Sequence, residues 1–259
     1  MSAHEAGAEA GAVAPAETTV SAETAAAGEA PPAFRFQVPP EFHAIPLGIG
    51  EDETGFAEQL RQFAHDYWGE DEKREPLRRL TAALYAANAE QLVAGGTVYS
   101  ALGIFPMGGG PDGSEPPERV SRATLTVSVR DLENPDPHLT AAGIAEALDK
   151  AAGNGDAGEV QPIDLPAGPA VVRVTGSRAV WELPEGDQER FFVRIEVWLP
   201  FPDEDRVLLL CLSTPDVQDL FHYQAVLADI AYSVTFGGAD APVDAGAAGQ
   251  TTVSPFTFY

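Results

Sequence analysis

RFFVRIEVWLPFPDEDRVLLLCLSTPD, residues Arg190 to Asp216, decides the fold class. Its first part alternates: Phe191, Val193, Ile195, Val197 and Leu199 point one way, and Arg190, Phe192, Arg194, Glu196 and Trp198 point the other. A period of two is that of an antiparallel strand with one core face. The cluster Pro202-Asp203-Glu204-Asp205 supplies a turn. VLLLCL, Val207 to Leu212, is then apolar on both faces, as a central strand covered from both sides must be. Thr214-Pro215-Asp216 reads as an N-cap, a first-turn proline and an acid matched to the helix dipole. The helix it opens runs to about Val234 and is expected to bury Val217, Leu220, Phe221, Leu227, Ala231 and Val234.

Upstream, strands are expected at about 159–165 and 169–182, so neighbouring strands late in the chain form hairpins. RATLTVSVRDL, from Arg122, alternates Leu125, Val127 and Val129 against Thr124, Thr126 and Ser128. TVYSALGIF, residues 97–105, is a further strand, joined to it through the Gly-rich loop GGGPDGSEPPE at 108–118. Asp136-Pro137 caps a helix carrying Leu139, Ile144 and Leu148. Phe56, Leu60, Phe63 and Tyr67 place an amphipathic helix over about 53–68. After Pro76 the period continues in Leu77, Leu80, Leu84 and Ala87, until Gly95-Gly96 ends the second helix. FRFQV and FHAIPL, around 34–47, are short extended pieces. The order is β-α-α-β-β-α-β-β-β-β-α. It implies an α+β fold with a mostly antiparallel sheet and helices on both faces, a three-layer sandwich.

Residues 1–33 contain Ala, Glu, Gly, Thr and Pro but no aromatic residue, too little apolar area to offset the entropy of ordering, and read as a disordered tail. The same composition returns at 237–259, so a single domain is expected over 34–236. The chain of 259 residues carries 40 acidic and 15 basic residues, a net charge of −25. Of these, 33 acidic and all 15 basic residues lie within 34–236, so the domain itself is acidic. Such a surface repels phosphate backbones and anionic lipid, which argues against nucleic-acid and membrane partners. The N-terminus lacks the basic and apolar regions of a signal peptide, and no apolar run reaches membrane-spanning length. With one cysteine and no disulfide partner for it, a cytoplasmic setting is expected.

Candidate chemistry is sparse. His4, His43, His65, His138 and His222 occur in no metalloprotease spacing. His65, in HDYWGEDEKRE, lies beside carboxylates that suit a divalent metal, but a charged helix end accounts for the same residues. Cys211 sits inside the apolar strand, where an inert buried thiol is expected. The Gly-rich loop lacks the Lys and Ser/Thr of a phosphate-binding loop, and Ser100, Ser121, Ser128 and Ser177 lack a nucleophile-elbow context. No catalytic residue, metal or cofactor is assigned. Two aromatic features point toward binding another protein. Phe192 and Trp198, with Trp181, line a sheet face open to a partner or ligand unless a helix packs there. The final SPFTFY, with Phe256, Phe258 and Tyr259, follows a nearly uncharged linker and suits docking as an added strand or in a groove, on this domain or on another protein.

The run LPAGPAVVRV, the strand end VWLPFP, and VLLLCLSTPDVQDLF with VLADIAYSVTF resemble a loose group of actinobacterial proteins of Mog1/PsbP-like fold. The resemblance covers about 34–236 and rests on strand order and on Leu165–Ala170 and Ser213–Pro215. It implies an antiparallel sheet between helical layers and a role in binding other proteins, as adaptor or secretion chaperone. Some members are lipoproteins; this chain has no lipobox. The first expectation is therefore a non-enzymatic adaptor or chaperone-like module, linked to a secretion or assembly system. The second is a small-molecule-binding protein or enzyme using a cleft between sheet and helices, with Trp181, Trp198 and His222 as candidate neighbours.

Overall fold

The computed structural model describes residues 18–22, 34–109, 116–153, 158–181, 186–202 and 204–237. Phe256, Phe258 and Tyr259 lie outside them. The alternating segments form strands close to where the pattern places them: β4 (Thr97–Met107), β5 (Arg119–Asp131), β6 (Gly158–Leu165), β7 (Gly168–Trp181), β8 (Gln188–Pro200) and β9 (Arg206–Thr214). With β3 (Phe42–Ala44) they build a seven-stranded sheet in the order β3-β4-β5-β9-β8-β7-β6, antiparallel throughout. Hairpins join β4 to β5 and carry the chain from β6 through β9. The last of these strands then inserts beside β5, at the centre of the sheet.

VLLLCL is buried on both sides because of that place. Leu208, Leu210 and Leu212 are fully buried on one face, beside Leu125 and Val127 of β5 and Val193, Ile195, Val197 and Leu199 of β8. Helix α4 (Leu220–Tyr232) closes this core with Tyr223, Leu227, Ile230 and Ala231. The strand β2 (Phe34–Val38) adds Phe34, Phe36 and Val38. On the other face lie Val207, Leu209 and Cys211. Helix α3 (Pro137–Gly153) packs against β6, β7 and β8. Its buried Ala141, like Val171, Val207 and Leu209, stands outside the cluster that α4 closes, so helices cover both faces. The architecture is α+β with a mostly antiparallel sheet.

Within residues 1–33, the described stretch Thr18–Ala22 forms β1. It joins β2 and β10 (Thr235–Phe236) in a small three-stranded sheet. The β-branched run TTV explains why these residues extend. At the other end, Thr214 is the last residue of β9 and not a helix cap. Its hydroxyl donates to the Arg122 carbonyl (2.7 Å) and accepts from the Asp216 N–H (3.0 Å). A 3-10 turn, Val217–Asp219, intervenes before α4 and shifts its phase, so Val217 and Phe221 face solvent. Phe191 also lies outside the core; its ring covers Gly176, where an added Cβ would come within 2.3 Å of it.

Helix α1 (Glu53–Trp68) is capped by Asp52, which accepts from the Gly55 N–H (2.7 Å). It packs against α2 (Glu75–Ala94) as a helical hairpin beside the β3 edge. The Phe63 ring meets Tyr85 edge-on, and the Trp68 indole donates to Thr81 Oγ1 (2.8 Å). The face of α2 turned to α1 thus carries Thr81, Tyr85 and Ala89. The stripe Leu77, Leu80 and Leu84 lies on the adjoining flank, 40%, 56% and 55% exposed. Helix α2 is apolar on two faces and only one is covered among the described residues.

Gly95 and Gly96 end α2 as expected. Gly96 has φ of +80°, and its carbonyl accepts the Val129 N–H at 2.8 Å, which ties the helix to β5. A Cβ there would stand 2.2 Å from the Val129 carbonyl oxygen. Gly96→Ala is expected to cost at least about 2 kcal/mol through clash and backbone strain. Chemical denaturation checks this; an unchanged midpoint would contradict the tie.

Candidate interaction surfaces

The sheet face that carries Phe192 and Trp198 is built by strand parity. Register places Trp198 between Val171 and Leu209, and Glu196 between Arg173 and Cys211. The Trp198 indole donates to Glu196 Oε2 (3.3 Å), and the Arg130 guanidinium lies 5.9 Å from its ring centroid. Glu196, buried, lies 3.8 Å from Arg173 Nη1 and 3.6 Å from Arg194 Nη1. A buried carboxylate needs such cations to offset its lost hydration. Cys211 stands beside this cluster. Burial, and then the Glu196 carboxylate, push its thiol up to about 11, so it is protonated at neutral pH. Trp198 and Phe192 are each half-buried here, with α3 packed across β6 to β8. The side chain of Trp181 lies outside the described residues.

His222 belongs to the opposite face. Its ring packs edge-on against Phe105 at 4.9 Å, beside the core that α4 closes, and its Nε2 has no hydrogen-bond partner among the described residues. Trp198 and His222 are therefore separated by the sheet, and the cleft expected from them does not form. His65 Nδ1 lies 3.8 Å from Asp66. Among the described residues, no group of three or more His, Cys, Asp and Glu side chains is placed to hold a metal ion. Nor is any helix there long and apolar enough to cross a membrane. Within HDYWGEDEKRE, Asp66 accepts from the Gln62 side-chain amide and Asp71 from the Lys73 N–H. Glu75 accepts from Arg79 (2.8 Å) and Arg78 (3.0 Å), which lowers its pKa, while Arg78 also binds the Gly69 and Asp71 carbonyls.

A polar lock fastens the start of α4 to β5. Asp216 Oδ2 accepts from the Arg122 N–H (2.8 Å), and Ser121 Oγ lies 2.6 Å from the Tyr223 hydroxyl. Arg119 binds buried Asp219 with two guanidinium nitrogens. That hydrogen bonding holds the Asp219 carboxyl below the usual range against the opposing effect of burial. These groups, separated by about a hundred residues, were not legible as a pair in the sequence.

Two of the apolar surfaces left uncovered among the described residues belong to the helical hairpin. One is the leucine stripe of α2. Another is an open groove of about 650 Å³ between the loop at 47–53 and the C-terminal half of α2. Leu47, Ile49, Phe56, Ala89 and Val93 line its floor; Glu51, Asp52, Glu53 and Glu90 stand at its rim. Gly48, with φ of +71°, lets the loop lie on the Phe56 ring, where a Cβ would come within 2.9 Å of the ring. The groove escaped the sequence reading because its two sides lie far apart in the chain. Its one local signal is LGIGEDE, two apolar residues set between glycines and followed by acids. A smaller hollow of about 340 Å³ lies between β3 and α1, with His43, Gln62, Asp66 and Tyr67 in its wall. No protein-family model, curated protein or solved structure matches the chain.

The lowered Asp219 carboxyl stabilises the fold above the ordinary carboxyl pKa of about 4, and this is lost as pH falls through the folded value. Asp219→Asn is expected to cost about 1–2 kcal/mol at pH 7, discounted because Arg119 is partly exposed. The gap to wild type should stay flat from about pH 7 to 5 and narrow below about pH 4. Urea denaturation across that range measures it, and a gap constant down to about pH 2 would contradict the lock.

Proposed function

We propose that this chain is a non-enzymatic protein-binding module, an adaptor or chaperone-like protein of the cytoplasm, whose partner is another protein. The observation that carries this reading is the exposed leucine stripe of α2, Leu77, Leu80 and Leu84. Three leucines on adjoining turns, uncovered among the described residues, form the ridge that a helix-in-groove contact uses. Two side chains that a nucleophilic or acid–base mechanism could draw on, Cys211 and His222, support the same reading, because they are engaged in packing. Cys211 is held as a neutral thiol, and the His222 ring rests on Phe105. A Mog1/PsbP-like identity for the fold is part of the proposal. It rests on the strand order and the elements at Leu165–Ala170 and Ser213–Pro215. A link to a secretion or assembly system follows from that resemblance alone. The aromatic end, Phe256, Phe258 and Tyr259, is proposed as a second docking element, with Phe192 and Trp198 as a half-covered secondary surface.

Affinity capture from native lysate tests this with three proteins: wild type, the Leu80→Asp/Leu84→Asp variant, and a chain ending at Gly237. Because both leucines face solvent, the double variant should melt within a few degrees of wild type, as surface substitutions do. The expected result is a stoichiometric partner lost at least about tenfold with the double variant, since buried apolar anchors dominate such contacts. Loss on truncation instead would move the contact to the aromatic tail. Equal capture by all three, or capture by none, would overturn the reading.

A further inference from the structure

We propose that the groove between residues 47–53 and α2 receives a segment of another protein with apolar side chains flanked by Lys or Arg. The inference rests on reading the chain as a protein-binding module and specifies the chemistry of what it binds. The floor of Leu47, Ile49, Phe56, Ala89 and Val93 is apolar, and Ile49 and Val93 are 48% and 40% exposed. The rim carries four carboxylates and no Lys or Arg. Asp52 is engaged as the cap of α1, while Glu51, Glu53 and Glu90 are exposed. The groove also abuts the C-terminal turn of α2, the negative end of its dipole, which has no basic residue to offset it. An apolar occupant gains the floor; a cationic flank gains the rim and the helix end.

The same charges decide against the other occupants. Residues 1–33 and 238–259 contain no Lys or Arg but seven Asp and Glu, so neither tail complements the rim. A second copy could offer its Leu77, Leu80 and Leu84 with Lys73, Arg74 and Arg79 alongside. At about 100° per residue, however, that stripe and the groove lie roughly 140° apart around α2. Two copies related by a twofold axis cannot exchange such opposed surfaces, and head-to-tail contact would build a ring or an open filament instead of a dimer.

The test uses full-length protein and a fluorescent 14-residue amphipathic peptide of Leu and Lys, with its Leu and Glu counterpart as control, read by anisotropy. Ile49→Ser/Val93→Ser empties the floor. Glu51→Gln/Glu53→Gln/Glu90→Gln removes the three rim charges other than the cap Asp52. Glu133→Gln/Asp149→Asn/Glu159→Gln removes the same charge from exposed positions outside the groove lining. The Lys peptide is expected to bind saturably, and the floor and rim variants to weaken it about tenfold each, since several exposed charges contribute a few-fold apiece. The distant variant should change it less than about twofold. Equal weakening by the distant variant would reduce the effect to general attraction and overturn the groove. So would an unaffected floor variant. Tighter binding after truncation at Gly237 would assign the groove to the chain's own tail. Concentration-dependent assembly of the protein alone, abolished by the floor variant, would assign it to a second copy. Either result overturns the proposed partner. Normal peptide binding by the groove variants, with lysate capture still lost on changing Leu80 and Leu84, would sink this inference and leave the protein-binding reading standing.

Discussion

The two-sided burial of β9 is the constraint on which the rest depends. A strand with Leu208, Leu210 and Leu212 on one face and Val207 and Leu209 on the other cannot sit at an edge or under a single layer. Each fully buried leucine contributes about 1.5–3 kcal/mol, so exposing either face would remove a large part of a typical domain's net stability. Both faces must therefore be roofed. Helix α4 with β2 covers one and α3 the other. The α3 crossover carries the chain from β5 to β6 across the sheet, which leaves the gap that β9 fills from the opposite direction. Order, layering and the Asp219 lock at the mouth of α4 all serve that insertion.

The helical hairpin answers to a weaker constraint. It meets the sheet at the short β3 and the start of β4, and its own buried residues are Leu60, Phe63, Ala64 and Ala89. Aromatic contacts from α1 decide which side of α2 turns inward. Nothing of comparable size covers Leu77, Leu80 and Leu84 among the described residues. Core packing and exposed apolar surface are thus divided in space: the sheet holds the fold, and the hairpin presents the leucine stripe and the acid-rimmed groove.

Strands were legible wherever one residue in two was apolar, and the Asp136 cap and the glycines after α2 were legible as local chemistry. The orientation of α2 was not, because it carries two apolar stripes one residue out of phase, and only contact with Phe63 and Trp68 selects Tyr85 over Leu84. Phe221 misled for a related reason: three residues of 3-10 turn rotate α4 relative to a helix begun at Thr214. Pairing of β5 with β9 depends on a crossover that local pattern does not encode. The separation of Trp198 from His222 was available in principle, since Trp198 alternates with the core residues Val197 and Leu199. The acid-rimmed groove required the fold, because no window of sequence contains both its walls.

Native-state hydrogen exchange on the full-length protein tests the central claim most directly, that the double-roofed β9 holds the fold while the hairpin is a less stable appendage that presents exposed apolar surface. The account predicts that amides of β5, β8 and β9 exchange only through global unfolding, with the same free energy and denaturant dependence. Amides of α2 should exchange through a smaller opening, at lower free energy, while the sheet stays protected. Protection of α2 equal to that of β9, lost in the same cooperative step, would contradict it.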